Sequence, residues 1–166
     1  MEISIYLLSR DNLKRPKEQL EAVFNAIQYA LEKPFRELAG KQQIEIRHIG
    51  STLNLPERVL ESLTRERNQH EEGLPRINLL IDYSPIEELR QAIDLGHSDF
   101  MNRLWVTSPV DLVIRTASVP LLSNFLPLQS GYAIIWTSDK MVQNITTDDI
   151  DDALDYYLAI RRPFGS

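Results

Sequence analysis

Ile77-Asn78-Leu79-Leu80-Ile81-Asp82-Tyr83-Ser84-Pro85 sets a short apolar run, Ile77–Ile81, against the turn formers Asp82-Tyr83-Ser84 and then a proline. A run of this length bounded by turn residues reads as a buried strand. Pro85 suits the first turn of a helix, where its missing N–H costs nothing. Ile86, Leu89, Ala92 and Ile93 then recur at helical spacing. One stretch thus encodes a strand feeding directly into a helix.

The same alternation extends in both directions. Upstream, Ile3–Leu8 reads as a strand, followed by Pro16 and a long helix carrying Leu20, Val23, Phe24, Ile27, Ala30, Leu31, Phe35 and Leu38. Pro34 predicts a kink or break in that helix, which closes near Gly40. Ile44–Ile49 alternates apolar with charged residues and ends at Gly50-Ser51-Thr52. A charged amphipathic helix then runs from Pro56 to about Gln69, with Val59, Leu60 and Leu63 inward. Downstream, Val110–Ile114 and Tyr132–Trp136 read as strands. A final helix is capped by Thr146 or Thr147, with Asp148 and Asp149 at the positive end of its dipole.

Strands alternating with helices require crossover connections. The expected fold class is therefore α/β, a mainly parallel sheet of about five strands with helices on both faces, in a single domain over residues 1–166. Ligands of such sheets bind beyond the carboxyl ends of the strands. The segments to inspect are Ser9–Arg15, Gly50–Thr52, Asp82–Ser84, Arg115–Asn124 and Thr137–Asp139.

Composition narrows the functions. The chain has 166 residues, 43% hydrophobic and 25% charged, the balance of a globular domain. A net charge of −6 argues against a nucleic-acid partner, which needs a basic face to displace phosphate counterions. The absence of Cys removes disulfides, thiolate metal sites and a cysteine nucleophile. No stretch is long and apolar enough to span a bilayer, and the first ten residues lack the pattern of a signal peptide. The expectation is a cytoplasmic protein, with peripheral membrane contact still compatible.

Few side chains suggest chemistry. His48, His70 and His97 have no ligand-like spacing, so no metal site is expected. Asp148-Asp149-Asp151-Asp152 reads as a solvated helix start, and Arg58, Arg65 and Arg67 as ion-pair partners of neighbouring glutamates. Arg115, just past a buried strand, stands out. With the Ser123 hydroxyl and Asn124 it could cradle a diphosphate, or it could be a structural arginine paired with a carboxylate such as Asp82. Asn12 with Arg15 at the first strand end is a weaker case.

These residues carry a resemblance. Residues 111–129 read D-L-V-I-R-T-A-S-V-P-L-L-S-N-F-L-P-L-Q and residues 131–139 read G-Y-A-I-I-W-T-S-D. They resemble the cis-prenyltransferase (undecaprenyl diphosphate synthase) family pattern D-L-V-I-R-T-G-G-E-x-R-[LI]-S-N-F-L-L-W-Q, then A-Y-[AS]-E-x-x-F-T-D. Leu8–Pro16 is similar to its F-S-[ST]-E-N-W-x-R-P, and Arg47–Gly50 to R-x-I-G. Ile77–Leu89 is similar to L-N-I-A-x-N-Y-G-G-R-W-D-I, and Arg161–Gly165 to a terminal R-R-F-G-G with Pro163 as an extra residue. The resemblance implies a dimeric enzyme that condenses isopentenyl diphosphate with an allylic diphosphate. Magnesium and arginines would offset the repulsion between the two diphosphates.

The chain departs from that pattern at the charged positions. Leu121 stands for the second Arg, Val119 for the Glu of G-G-E, Ile134 for the Glu that helps hold magnesium, and Ala117 and Ser118 for glycines. Asp82 replaces an Asn, Leu13 replaces a Trp, and Ser84-Pro85-Ile86-Glu87 replaces G-G-R-W. The family's first strand and its D-G-N-G-R phosphate loop have no counterpart. Asn12, Arg15, Tyr83, Arg115, Ser123 and Asn124 remain. The expected function is therefore a catalytically degenerate homologue, a binding or accessory subunit with at most a residual diphosphate or isoprenoid site, needing no cofactor. Arg115, Ser123, Asn124, Asn12 and Arg15 are the diphosphate candidates. Leu20, Val23, Phe24, Ile27 and Leu31 could line the hydrophobic tunnel that receives the chain in the family, or could simply be core. Expected partners are a second copy, or a cis-prenyltransferase subunit, and a prenyl diphosphate or phosphate. Two other readings stay open: an enzyme completed by a partner or by a missing N-terminal segment, and an interaction protein with no ligand site.

Overall fold

A computed structural model describes residues 1–65, 73–96, 98–116 and 118–160. The chain divides into two compact units, Met1–Trp105 and Val106–Ser166. All five expected strands form and all pair in parallel, three in the first unit and two in the second.

In the first unit β1 (Glu2–Ser9), β2 (Glu45–Ile49) and β3 (Arg76–Tyr83) lie in the order β1-β3-β2. The central strand β3 is buried from Ile77 through Tyr83, as its near-continuous apolar sequence requires. It runs two residues further than the turn formers suggested: Asp82 and Tyr83 are strand, because Ser9 at the end of β1 still pairs with Tyr83. A register shift around Leu7 lets Leu7 and Leu8 both reach the apolar side.

That apolar side packs under α1 (Lys17–Ala30) and α3 (Glu57–Arg65). Phe24, Ile27, Leu31 and Val59 meet Ile46, Ile77, Leu79 and Ile81 in one core, and Leu20 and Val23 pack against its margin. Pro34 neither breaks nor ends the helix. It has no N–H for the carbonyl of Ala30, and Leu31–Phe35 loosens into a π-turn that leads on into α2 (Arg36–Gln42). The helix therefore passes Gly40 and stops at Gln43, which takes the left-handed conformation with φ 50°. Arg58 forms a surface pair at 2.7 Å with Glu21 of α1 rather than with a neighbouring glutamate of its own helix, whereas the Arg65 side chain, Arg67 and the segment to Gln69 lie outside the described residues.

The opposite side of the sheet carries polar residues at its amino-terminal end, followed by Ile49 and Leu80, both buried. Asn78 donates to the Glu2 carboxylate at 2.6 Å and to Ser4 Oγ at 3.2 Å, and Arg76 Nε donates to Glu45 at 2.8 Å. This explains why β2 alternates Glu45 and Arg47 with apolar residues. α4 (Pro85–Leu95) starts at Ser84, whose hydroxyl accepts from the Glu87 N–H.

The second unit has less regular structure. β4 (Leu112–Arg115) and β5 (Ile134–Thr137) are four residues each, shorter than the predicted strands. α5 (Thr147–Ala159) is capped by Thr146, whose hydroxyl accepts from the Asp149 N–H while the Asp149 carboxylate accepts from the Thr146 N–H. Lys140 Nζ also donates to Asp149, at 2.6 Å. These donors hold the Asp149 carboxyl down at about 2. Among the described residues no helix is long and apolar enough to cross a membrane.

Candidate anion site at the strand ends

β4 delivers Arg115 to its carboxyl end, and the loop that follows folds back onto it. Arg115 Nε donates to the Val119 carbonyl at 3.2 Å, and one terminal nitrogen donates to Ser123 Oγ at 3.4 Å. The loop is held open by residues with positive φ: Ser118 at 59°, Ser123 at 49°, Asn124 at 64° and Leu126 at 39°. Left-handed backbone at non-glycine residues costs about 1–3 kcal/mol each and persists where the surroundings enforce it. Here Leu126, fully buried, anchors the loop.

Arg115 and Ser123 are thus brought together as the sequence suggested, and Asn124 is adjacent. The partner weighed for Arg115, Asp82, is instead taken by Arg10. At the positions where the resembled pattern has Glu and Arg, Val119 and Leu121 are exposed apolar side chains, at 44% and 58%. Ile134, where the pattern has a further Glu, opens β5 opposite Leu112 and is buried. None of the three offers an oxygen ligand or a cation, so these positions do not fit a magnesium-bound diphosphate.

The other strand-end candidates lie in the first unit. β1 ends at Ser9, whose hydroxyl accepts from the Asn12 N–H at 3.1 Å and starts a tight turn over Arg10–Lys14. The Arg15 N–H closes that turn on the Asn12 carbonyl, also at 3.1 Å. Beside it, Asp82 is the penultimate residue of β3, fully buried and at φ 52°. Its carboxylate pairs with Arg10 Nε and accepts from Asn54 Nδ2 at 2.9 Å. His48 Nε2 lies 3.0 Å from the Ile81 carbonyl oxygen; His70 and His97 lie outside the described residues.

Gly50 lets this corner close. At φ 139° its absent Cβ would sit 2.1 Å from the Ile81 carbonyl oxygen, so any side chain would collide with β3. Tyr83 lies alongside, fully buried, edge-on to Tyr6 and Trp105, and its hydroxyl donates to Glu88 at 2.6 Å. Burial, and then the Glu88 bond, push the Tyr83 phenol far above its ordinary range, so it stays a donor. Arg10 and Asn54 were missed by the sequence reading. The available signal was that Arg10 occupies the Ser/Thr position of the resembled pattern while Asp82 occupies its Asn, two departures of opposite charge.

Comparison with known proteins agrees with this geometry. Residues 1–165 match the prenyltransferase family described as "Putative undecaprenyl diphosphate synthase". An isoprenyl transferase of Campylobacter jejuni is 27% identical over 98% of this chain and 77% of its own length. A tritrans,polycis-undecaprenyl-diphosphate synthase (geranylgeranyl-diphosphate specific) of Aeropyrum pernix is 29% identical, over 98% of this chain and 76% of its own. The crystal structure of lavandulyl diphosphate synthase from Lavandula x intermedia, in complex with dimethylallyl diphosphate, superimposes with a TM-score of 0.87 at 25% identity, covering 99% of this chain and 79% of that one. The parallel strands, the strand-end arginine and the match over nearly its whole length agree: this chain belongs to the undecaprenyl diphosphate synthase family of prenyltransferases.

Proposed function

We propose that this protein is a non-catalytic, diphosphate-binding member of its family, acting as a binding or accessory subunit. The observation that carries the reading is the loop after β4. It keeps an arginine against a hydroxyl, but presents Val119 and Leu121 where charged groups belong. A guanidinium with its plane fixed by two acceptors can hold phosphate oxygens. It cannot by itself offset two adjacent diphosphates and support one of them as it leaves. Removing one such electrostatic donor typically costs about 3–4 kcal/mol of barrier. Here three charged positions are apolar, and Ile134 is committed to strand packing.

In this reading Arg115, Ser123 and Asn124 contact a phosphate, with Asn12 and Arg15 as further polar positions of the family pattern. The apolar face of α1 and of the turn after it, formed by Leu20, Val23, Phe24, Ile27 and Leu31, serves as core, a role supported by the packing of Phe24, Ile27 and Leu31 under β2 and β3. Homodimers, or heteromers with a competent prenyltransferase subunit, are the proposed assemblies, and the cytoplasm the proposed location.

Titration calorimetry with pyrophosphate tests the site. Binding is expected in the high micromolar to millimolar range, about −4 to −6 kcal/mol, without need of magnesium. Arg115→Ala should weaken it at least fivefold while the circular dichroism spectrum is unchanged. Equal binding by that variant would place the site elsewhere. No binding by the wild type would leave Arg115 a structural residue.

A further inference from the structure

We infer that Arg10 is a second anion-recognising side chain, set in place by the buried Asp82, and that the class of ligand it takes is a phosphate or diphosphate; the inference rests on the diphosphate reading above but on different residues. Arg10 follows directly on β1, at the carboxyl edge of a parallel sheet. Its Nε is engaged by Asp82, which is fully buried, while its own side chain is 34% exposed. Among the described residues its two terminal nitrogens have no protein partner, so the outer edge of the guanidinium is left for a ligand.

The carboxylate does more than neutralise charge. Asp82 is itself fixed by Asn54 and by a left-handed backbone at the end of β3. It therefore holds one edge of a planar fork, and the opposite edge is the one that matches two phosphate oxygens. The turn that carries Arg10 also carries the amide of Asn12 and the guanidinium of Arg15, for which the described residues show no side-chain partner. Arg10, Lys14 and Arg15 outnumber the one carboxylate of this stretch, Asp11, which Lys14 meets at 2.9 Å, on a chain of net charge −6. The ion pair replaces the neutral Ser/Thr and Asn of the resembled pattern, so a cation has been added at one strand end of a chain that has lost one at Leu121.

Pyrophosphate titration of the full chain tests this with three proteins: wild type, Arg115→Ala, and the double variant Arg10→Ser/Asp82→Asn. The double variant removes the cation without leaving a buried carboxylate unpaired. We expect it to bind pyrophosphate at least fivefold more weakly than wild type. Wild-type affinity in the folded double variant overturns the role of Arg10, and weakened binding by Arg115→Ala alone would then leave the first reading standing. Weakened binding by the double variant alone supports Arg10 and removes the Arg115 site. Should the double variant fail to fold, NMR of the wild-type arginine Nε–Hε groups decides. The Arg10 signal is expected to shift saturably with pyrophosphate, and a signal that stays fixed overturns the inference, as does absence of any binding by the wild type.

Discussion

Arg10 directly follows β1 and meets a carboxylate from which water is excluded, whereas Arg115 ends β4 against a carbonyl and a hydroxyl in an exposed loop. Both are strand-end arginines at the carboxyl edges of parallel strands, yet their surroundings differ. The first is built into a corner with a three-stranded sheet, a buried central strand and a helix-covered core behind it. The second stands on two strands of four residues each. The difference separates two uses of one residue type: Arg10 contributes to the fold and leaves one edge over for a ligand, while Arg115 contributes little to the fold.

The largest expected effect tests the rigidity of the first corner. Gly50→Ala drives a methyl group into the Ile81 carbonyl and strains a positive φ, and should destabilise by about 3–4 kcal/mol in urea denaturation. Gly131→Ala, in the second unit, meets nothing within 4 Å and should stay within about 0.5 kcal/mol of wild type. Similar losses at both glycines would erase the contrast.

Next is the pair of charges. Asp82→Ala strands Arg10 and Asn54 and should cost about 2–3 kcal/mol, below the full penalty for a buried pair because Arg10 is partly solvated. Arg115→Ala should change stability by no more than about 0.5 kcal/mol. Thermal melts of the two variants side by side sharpen the comparison, and equal losses would mean that Arg115 is as structural as Arg10.

Smaller again is Tyr83→Phe. It removes a buried donor from Glu88 and should cost about 1–3 kcal/mol, without altering pyrophosphate binding at Arg115. A loss of binding would tie this buried phenol to the ligand.

The smallest effect belongs to the cap of α5. Asp149 titrates near 2, below its ordinary 3.8, chiefly through Lys140 and Thr146. Its contribution is full above about pH 4 and is lost as pH falls toward 2, since protonation favours the unfolded chain. Asp149→Asn should flatten the melting temperature over that window relative to wild type. Parallel curves would show that the carboxylate charge is not what the cap uses.

Much of the fold could be read from local pattern. The strand-into-helix step at Ile77–Pro85 and the Thr146 cap depend on residues close in sequence, and both appear where expected. The end of the first helix depends on more than Gly40: Pro34 converts one turn to π geometry, which carries the chain on to Gln43. The extension of β3 through Asp82 was hidden because its polar residues find partners from β1 and the loop after β2. At the site, Arg115 and Ser123 are eight residues apart and readable as a pair. Arg10 and Asp82 are 72 apart, and only the parallel register of β1 on β3 joins them.

The central claim is that the chain binds diphosphate without transferring prenyl groups. Incubating the purified full chain with labelled isopentenyl diphosphate and farnesyl diphosphate, with and without magnesium, tests it most directly. No labelled product above a protein-free control is expected in either case, because Val119, Leu121 and Ile134 leave the charge of two diphosphates unanswered. Magnesium-dependent product exceeding one equivalent per chain would contradict it.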